Sequence, residues 1–307
     1  PVLSNQNHEI MKHVIISYAN LLLFLLFYQL GIFGLALFIK AEEGKTISSD
    51  LRVMSFNIRL GVANDGANHW ERRKDLVVRT IKEFRPDILG LQEVWPIQET
   101  YLKQKFTDYH YYGRSRRIDP NEGEQCGVMY RKDRFKVLEQ KTFWLSEKPD
   151  QAESKSWDSS LPRIANWVSL QDRLNKGKDL VLINVHFDHK GRESREQAAK
   201  LIKRRVSKLG RSARIVITGD FNAGEGSAPY RALVDESLID TFRFSNPKRT
   251  EEEATLSGWN GRTVGNRIDW VLCTPNFKVL TASIDRTEFN GRYPSDHYPV
   301  SAILQVK

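Results

Sequence analysis

Mixed β-sheets with helices packed outside them are the fold class this sequence predicts, in one domain over residues 51–307. Three observations carry that expectation. Strand-length apolar runs recur along those residues, and segments with helical spacing fall between them without the regular alternation of a barrel or a dinucleotide-binding fold. No second linker, low-complexity tract or internal repeat interrupts the stretch. The apolar runs also end in, or lie beside, carboxylates, amides and imidazoles. Such groups are costly to desolvate along one sheet rim unless something uses them.

The elements follow in order. Residues 51–58 form the first strand. A helix over 71–84 places Val77, Ile81 and Phe84 on one face, and it stops near Arg85 because Pro86 disfavours helical geometry before it. Residues 87–94 are the next strand. Strands near 127–130 and 135–138 flank the Lys132-Asp133 turn, and 143–162 reads as a loop crossing the surface near the rim. Segments 166–171 and 179–186 read as antiparallel neighbours about Asn175-Lys176-Gly177. Ser194 to Gln197 fits a capping box opening a helix to Leu209, with Gly210 as its stop. Strands at 215–218, 268–273 and 300–306 complete the pattern, with a short helix after Ser227 that carries Pro229 in its first turn.

Ahead of the domain, residues 14–40 are almost wholly apolar, between 1–13 as an extension and 41–50 as a polar linker. About 20 apolar residues span a bilayer, whereas signal cores run about 7–15, so the length favours a transmembrane anchor over a signal helix cut near Ala41. Met11, followed by Lys12 and His13, has the look of a translation start. Either reading places the domain outside the cytoplasm, anchored or exported. A net charge of +9 favours anionic partners, nucleic acid or acidic lipid, although many basic proteins bind neither. The Lys203-Arg204-Arg205 cluster reads as a solvated helix face. Cys126 and Cys273 have neither metal-site spacing nor the setting of a nucleophile, and two buried free thiols are expected.

Six signatures stand in fixed order: Ser55-Phe56-Asn57, Leu91-Gln92-Glu93, Asn184-Val185-His186, Gly219-Asp220-Phe221-Asn222, Arg267-Ile268-Asp269 and Ser295-Asp296-His297. Any one is weak; six in register are specific. They resemble the endonuclease/exonuclease/phosphatase family, with exported bacterial members related to the deadenylase-type exonucleases nearest in pattern, as Arg131-Lys132-Asp133-Arg134-Phe135, Phe143-Trp144-Leu145-Ser146 and Arg292-Tyr293-Pro294 echo. The resemblance implies an α/β sandwich of four layers, two mixed sheets face to face with helices outside and the site at one edge. It also implies a divalent-metal-dependent hydrolase of phosphate esters.

A hard cation such as Mg²⁺, or Mn²⁺, takes oxygen ligands. Glu93 with Asn57 would supply them, and Asp296 resembles the family's further acidic ligand. By the same resemblance Asp220 orients and deprotonates the attacking water, and the Asn222 amide donates to a phosphoryl oxygen; an Asx turn is the plainer account of Asn222. A carboxylate beside an imidazole fixes its tautomer and favours its cation, which suits Asp269 with His297, Arg267 being the other available partner. His186 is expected as a second imidazole donor, with Asp188 and His189 supporting it. A zinc site on His186 and His189 is opposed by strand alternation, which sends them to opposite faces. Arg163 is either a phosphate clamp or half of a structural ion pair. The substrate expected first is a nucleic-acid phosphodiester. Lipid, inositol-phosphate or sugar-phosphate esters are the alternative, a catalytically inactive nucleic-acid-binding module is a third reading, and the enzyme is expected to be a monomer.

Overall fold

Side chains on a β-strand alternate between its two faces, and in this chain that parity separates structure from chemistry. The computed structural model describes Tyr28 and Ser49–Lys307, so the apolar segment over 14–40 lies, Tyr28 aside, outside the described residues. Among the described residues no helix is long and apolar enough to cross a membrane.

Two six-stranded mixed sheets form. In the first, β1 (Leu51–Asn57) runs parallel to β2 (Ile88–Gln92) and antiparallel to β12 (Val300–Val306). Outside β12 lies β11 (Phe277–Ile284); outside β2 lie β4 (Val128–Arg131) and then β3 (Tyr109–Tyr112). The second sheet runs β5 (Phe135–Trp144), β6 (Ile164–Asp172), β7 (Lys178–His186), β8 (Ile215–Asp220), β10 (Asp269–Cys273) and β9 (Ile239–Asp240). Only β7 and β8 are parallel among these pairs, which is why a helical crossover, α3 (Arg192–Ser207), joins them.

Three apolar layers hold four layers of elements together. Met54, Phe56, Leu89 and Leu91 pack outward beneath α1 (Trp70–Phe84) and α2 (Pro96–Lys105). Val53, Ile88, Leu182, Val216 and Val271 fill the space between the sheets. Ile183, Val185, Ile217 and Trp270 pack outward beneath α3. The inner-facing column of each central strand changes character toward one end. Val53 gives way to Ser55 and Asn57, Ile88 to Gly90 and Gln92, Leu182 to Asn184 and His186, and Val216 to Thr218 and Asp220.

Asn184 sits where apolar packing ends. Its amide donates to the carbonyls of Leu91 (2.7 Å) and Gly127 (2.8 Å) on the opposite sheet. Its oxygen accepts from Gln92 Nε2 (2.6 Å) and Thr218 Oγ1 (3.0 Å). Gly90 allows this approach, since a Cβ there would collide with Thr218 Oγ1 and the Asn184 carboxamide.

Several elements depart from the sequence expectation for identifiable reasons. β5 continues to Trp144, beyond residue 138, because β6 pairs with it along its whole length past a bulge. β4 and β5, on either side of Lys132-Asp133, belong to different sheets. Buried Arg134 secures that crossing by pairing with Asp172 (2.8 Å) and Asp87 (2.9 Å). α3 starts at Arg192, ahead of the expected capping box; Asp158 accepts from the Ser194 N–H (2.7 Å), and the Ser194 hydroxyl turns back to the Gly191 carbonyl. Helix α1 does end in a left-handed Arg85 before Pro86, and both cysteines are buried free thiols.

Asn184→Ala removes four buried hydrogen bonds and is expected to destabilise the domain by about 3 kcal/mol or more. Denaturant unfolding measures it, and a loss below about 1 kcal/mol would show that the tie contributes little.

Candidate active site

Strand register brings the chemistry together. His186 is level with Asp220 across β7 and β8, and Asp220 is level with Asp269 across β8 and β10. His186 Nε2 lies 3.3 Å from Asp220 Oδ2. His297 reaches in from the loop before β12, its Nδ1 at 2.9 Å from Asp269 Oδ2 and its Nε2 at 3.9 Å from Asp220 Oδ2. From the first sheet, Asn57 ends β1 beside Gln92 in register, and Glu93 follows directly. The Asn57 amide donates to Glu93 Oε1 (2.9 Å) and to Asp220 Oδ2 (3.0 Å), which joins the two sheets at the rim. Asp296 is bound into the same edge through the Ser295 hydroxyl, which donates to the Asn57 carbonyl at 2.7 Å.

Backbone strain concentrates here. Glu93, Arg59 and Asn222 adopt left-handed conformations, with φ of 62°, 55° and 48°. Residues without the freedom of glycine hold such angles only when their surroundings over-determine them. Glu93 is fixed by Asn57 on one oxygen and by the Leu60 N–H (2.9 Å) on the other. Asn222 is fixed by donating its backbone N–H to Asp220 Oδ1 (2.9 Å) and its side-chain amide to the Phe187 carbonyl (3.1 Å).

The charges are interdependent. Burial opposes the Asp220 carboxylate, yet the adjoining imidazoles of His186 and His297 hold it well below the ordinary range. Burial also opposes the His297 cation, and Asp269 with Asp220 outweighs it, so His297 is raised well above an ordinary histidine. Glu93 is held low against burial by His186 and Asn57. Asp269 and Asp296 are pushed up, Asp269 by burial and Asp296 by burial with Glu93 repelling it. That repulsion, the oxygen-only character of Glu93 and Asp296, and an Asp269 Oδ1 with no hydrogen-bond partner among the described residues fit a hard divalent cation at this rim. Donor atoms of Glu93, His186 and Asp220 also lie within 4.8 Å of one another, as do those of Asp220, Asp269 and His297.

All the residues expected at the site are found at this edge, with differences in detail. Asn57 was expected to offer an oxygen to metal. Instead its amide nitrogen faces the carboxylates, because its oxygen accepts the Arg59 N–H at 3.0 Å. Arg163 is buried and engaged within the protein: it lies 3.6 Å from Asp188 and 3.8 Å from Glu124, and it shares a 3.0 Å contact with His189 Nδ1. The structural pairing is therefore the one realised. Arg267 turns away from Asp269 to Asp240 (2.5 Å) and Glu225 (3.4 Å). Asp188 anchors the loop before α3 through the N–H groups of Gly191 (2.8 Å) and Lys190 (3.0 Å). Sequence reasoning missed Glu124, 3.7 Å from His186 Nδ1 and held by both terminal nitrogens of Arg116 (2.9 and 3.0 Å). It lies in an irregular loop, where no periodicity marks it.

Two facing mixed sheets with carboxylates and paired imidazoles pooled at their adjoining strand ends define a phosphoesterase architecture. Residues 54–297 match the model of the Endonuclease/Exonuclease/phosphatase family. An endonuclease/exonuclease/phosphatase of Bacteroides vulgatus is similar at 33% identity and TM-score 0.78, covering 85% of this chain and 100% of that one. A mannosyl-6-phosphatase of Bacteroides thetaiotaomicron is similar at 30% identity and TM-score 0.76, covering 83% and 99%. Mouse nocturnin is 23% identical over 82% of this chain, which spans 63% of nocturnin's length. The chain belongs to the endonuclease/exonuclease/phosphatase family, whose members are divalent-metal-dependent, and it is a hydrolase of phosphate esters.

A cation at the rim would relieve the repulsion between the half-buried Glu93 and Asp296 carboxylates. Asp296→Asn is therefore expected to leave EDTA-treated protein as stable as the parent or more so, while abolishing the rise in melting temperature that Mn²⁺ gives the parent. An unchanged Mn²⁺-dependent rise in the variant would place the ion elsewhere.

Proposed function

We propose that the chain hydrolyses phosphate monoesters of small, sugar-like molecules by divalent-ion-assisted in-line attack of water. The observation that carries the chemistry is the convergence of His186, Asp220 and His297 beside the Glu93 and Asp296 carboxylates. Similarity to a sugar phosphatase along 99% of that enzyme supports the substrate class. A nucleic-acid phosphodiester is the second reading, favoured by the net charge of +9.

Glu93 and Asp296 would hold the ion, with Mg²⁺ the fit for an all-oxygen set; when bound, it neutralises phosphate charge and steadies the leaving oxygen. Asp220, kept ionised between two imidazoles, is a weak base and acts chiefly by accepting a hydrogen bond from the attacking water and aiming it. Asp269 accepts a hydrogen bond from the Nδ1–H of His297 and favours its cation, leaving Nε2–H to donate to a phosphoryl oxygen. His186 donates from the other side. Asn222 keeps one amide N–H beyond its bond to Phe187, available to the same phosphate.

A panel of mannose 6-phosphate, glucose 6-phosphate, bis(p-nitrophenyl) phosphate, single-stranded RNA and single-stranded DNA, each with and without EDTA, tests the reading. Sugar monoesters should turn over fastest, EDTA should stop them, and Glu93→Ala or His297→Ala should each cost about 10³-fold in turnover in protein that still unfolds cooperatively. Nucleic-acid cleavage with inert monoesters would replace the first reading with the second. Undiminished activity in either variant would refute the assigned roles.

A further inference from the structure

The Arg204–Arg205 pair does more than face solvent. On the outer surface of the second sheet, β5, β6 and the C-terminal end of α3 enclose a groove of about 360 Å³ lined by Lys141, Trp167, Leu201, Arg204, Arg205, Lys208 and Leu209. Trp167 is level with Ile183 on β7, three positions before His186, roughly 10 Å along the strand from the active rim at about 3.3 Å per residue. Its parity directs it outward with Ile183 and Val185, away from the space between the sheets. The groove is thus separate from the site at the strand ends.

Its donors outnumber its acceptors. Trp167 is only 4% exposed, and among the described residues its indole N–H has no hydrogen-bond partner. Arg205 Nε is likewise buried without a partner, its guanidinium lying 4.0 Å above the Phe143 ring. Buried donors left unpaired are costly and uncommon in folded proteins, and here both belong to residues lining one groove. Four cations, Arg205 among them, line the groove. Lys141 lies over the Trp167 ring at 4.5 Å and pairs with Glu139 at 3.0 Å, and Arg205 reaches Asp150 at 3.7 Å. Arg204 and Lys208 have no ion pair among the described residues. An excess of cations, two unpaired donors and an apolar floor of Trp167, Leu201 and Leu209 suit a small anion that is rich in acceptors.

We propose that this groove binds a phosphate group, outside the catalytic site, with Trp167 Nε1–H and the Arg205 guanidinium as donors and Arg204, Lys141 and Lys208 balancing its charge. The group arrives either on a free small molecule or on a lipid headgroup. The proposal does not depend on the sugar-phosphatase reading, because the groove shares no residue with the rim.

The test follows the indole N–H signals of the ¹⁵N-labelled full chain in EDTA, in a Glu93→Ala/His297→Ala background that disables the rim. Inorganic phosphate and glycerol 3-phosphate form one arm; vesicles of phosphatidylcholine with or without phosphatidic acid form the other. Trp167→Phe keeps the packed ring and deletes the donor, so the signal it removes identifies Trp167 while the remaining indoles report an intact fold. The Trp167 signal is expected to shift on addition of a phosphate-bearing probe, and Arg204→Gln/Lys208→Gln should weaken that binding about tenfold or more. A response to the free phosphates identifies a small-molecule ligand, and a response only to phosphatidic acid identifies the headgroup; either supports the site. A Trp167 signal that none of the probes moves, or binding unaffected by Arg204→Gln/Lys208→Gln, would overturn it.

Discussion

The carboxamide of Asn184 is the constraint on which this molecule depends. Two sheets packed face to face have no backbone hydrogen bonds between them, and apolar side chains alone tolerate sliding. Asn184 supplies three directional bonds across that interface, to Leu91, Gly127 and Gln92, and a fourth within its own sheet to Thr218, in full burial. A satisfied buried polar network of this kind specifies one arrangement, because any shift leaves groups unpaired in a low dielectric. It stands one inner-facing position short of His186, so the same bonds that set the sheet spacing set the distance between the two halves of the site.

That coupling explains how the chain places ionisable groups where they are expensive. Asp220 is almost wholly buried, and so are Asp269 and His297. They are tolerable because each is partnered: Asp269 with the His297 cation, Asp220 beside His297 and His186, while the Asn57 amide donates to Glu93. Glu93 and Asp296 repel one another, with Arg59 3.8 Å from Asp296 as a partial counterweight, an arrangement that a cation would suit. The strained turns at Glu93 and Asn222 serve the same end, pointing short polar side chains inward just where the strands stop.

Much of this was readable from residues in order. Five of the six signatures end or adjoin short continuous apolar runs that read as strands, and helix α1 carries both an apolar stripe and a proline stop. Helix α2 escaped notice because it buries little beyond Gln98 and Leu102 and shows no stripe. β11 alternates toward an exposed edge, where the apolar signal is thin. The capping box misled because Ser194 has the right sequence neighbours while the cap comes from Asp158, 36 residues earlier. Glu124 and the orientation of Asn57 depend on contacts between distant segments, which no local pattern records. The choice among phosphate esters also lay beyond the motifs, since every reading uses the same rim.

The most direct measurement of the central claim is the anomalous scattering map of crystals soaked in Mn²⁺ and inorganic phosphate. The account predicts an ion in direct contact with Glu93 and Asp296, and a phosphate held between the His186 and His297 imidazoles. An ordered ion bound away from both carboxylates, with the His186–Asp220–His297 cluster touching no phosphate, would contradict it.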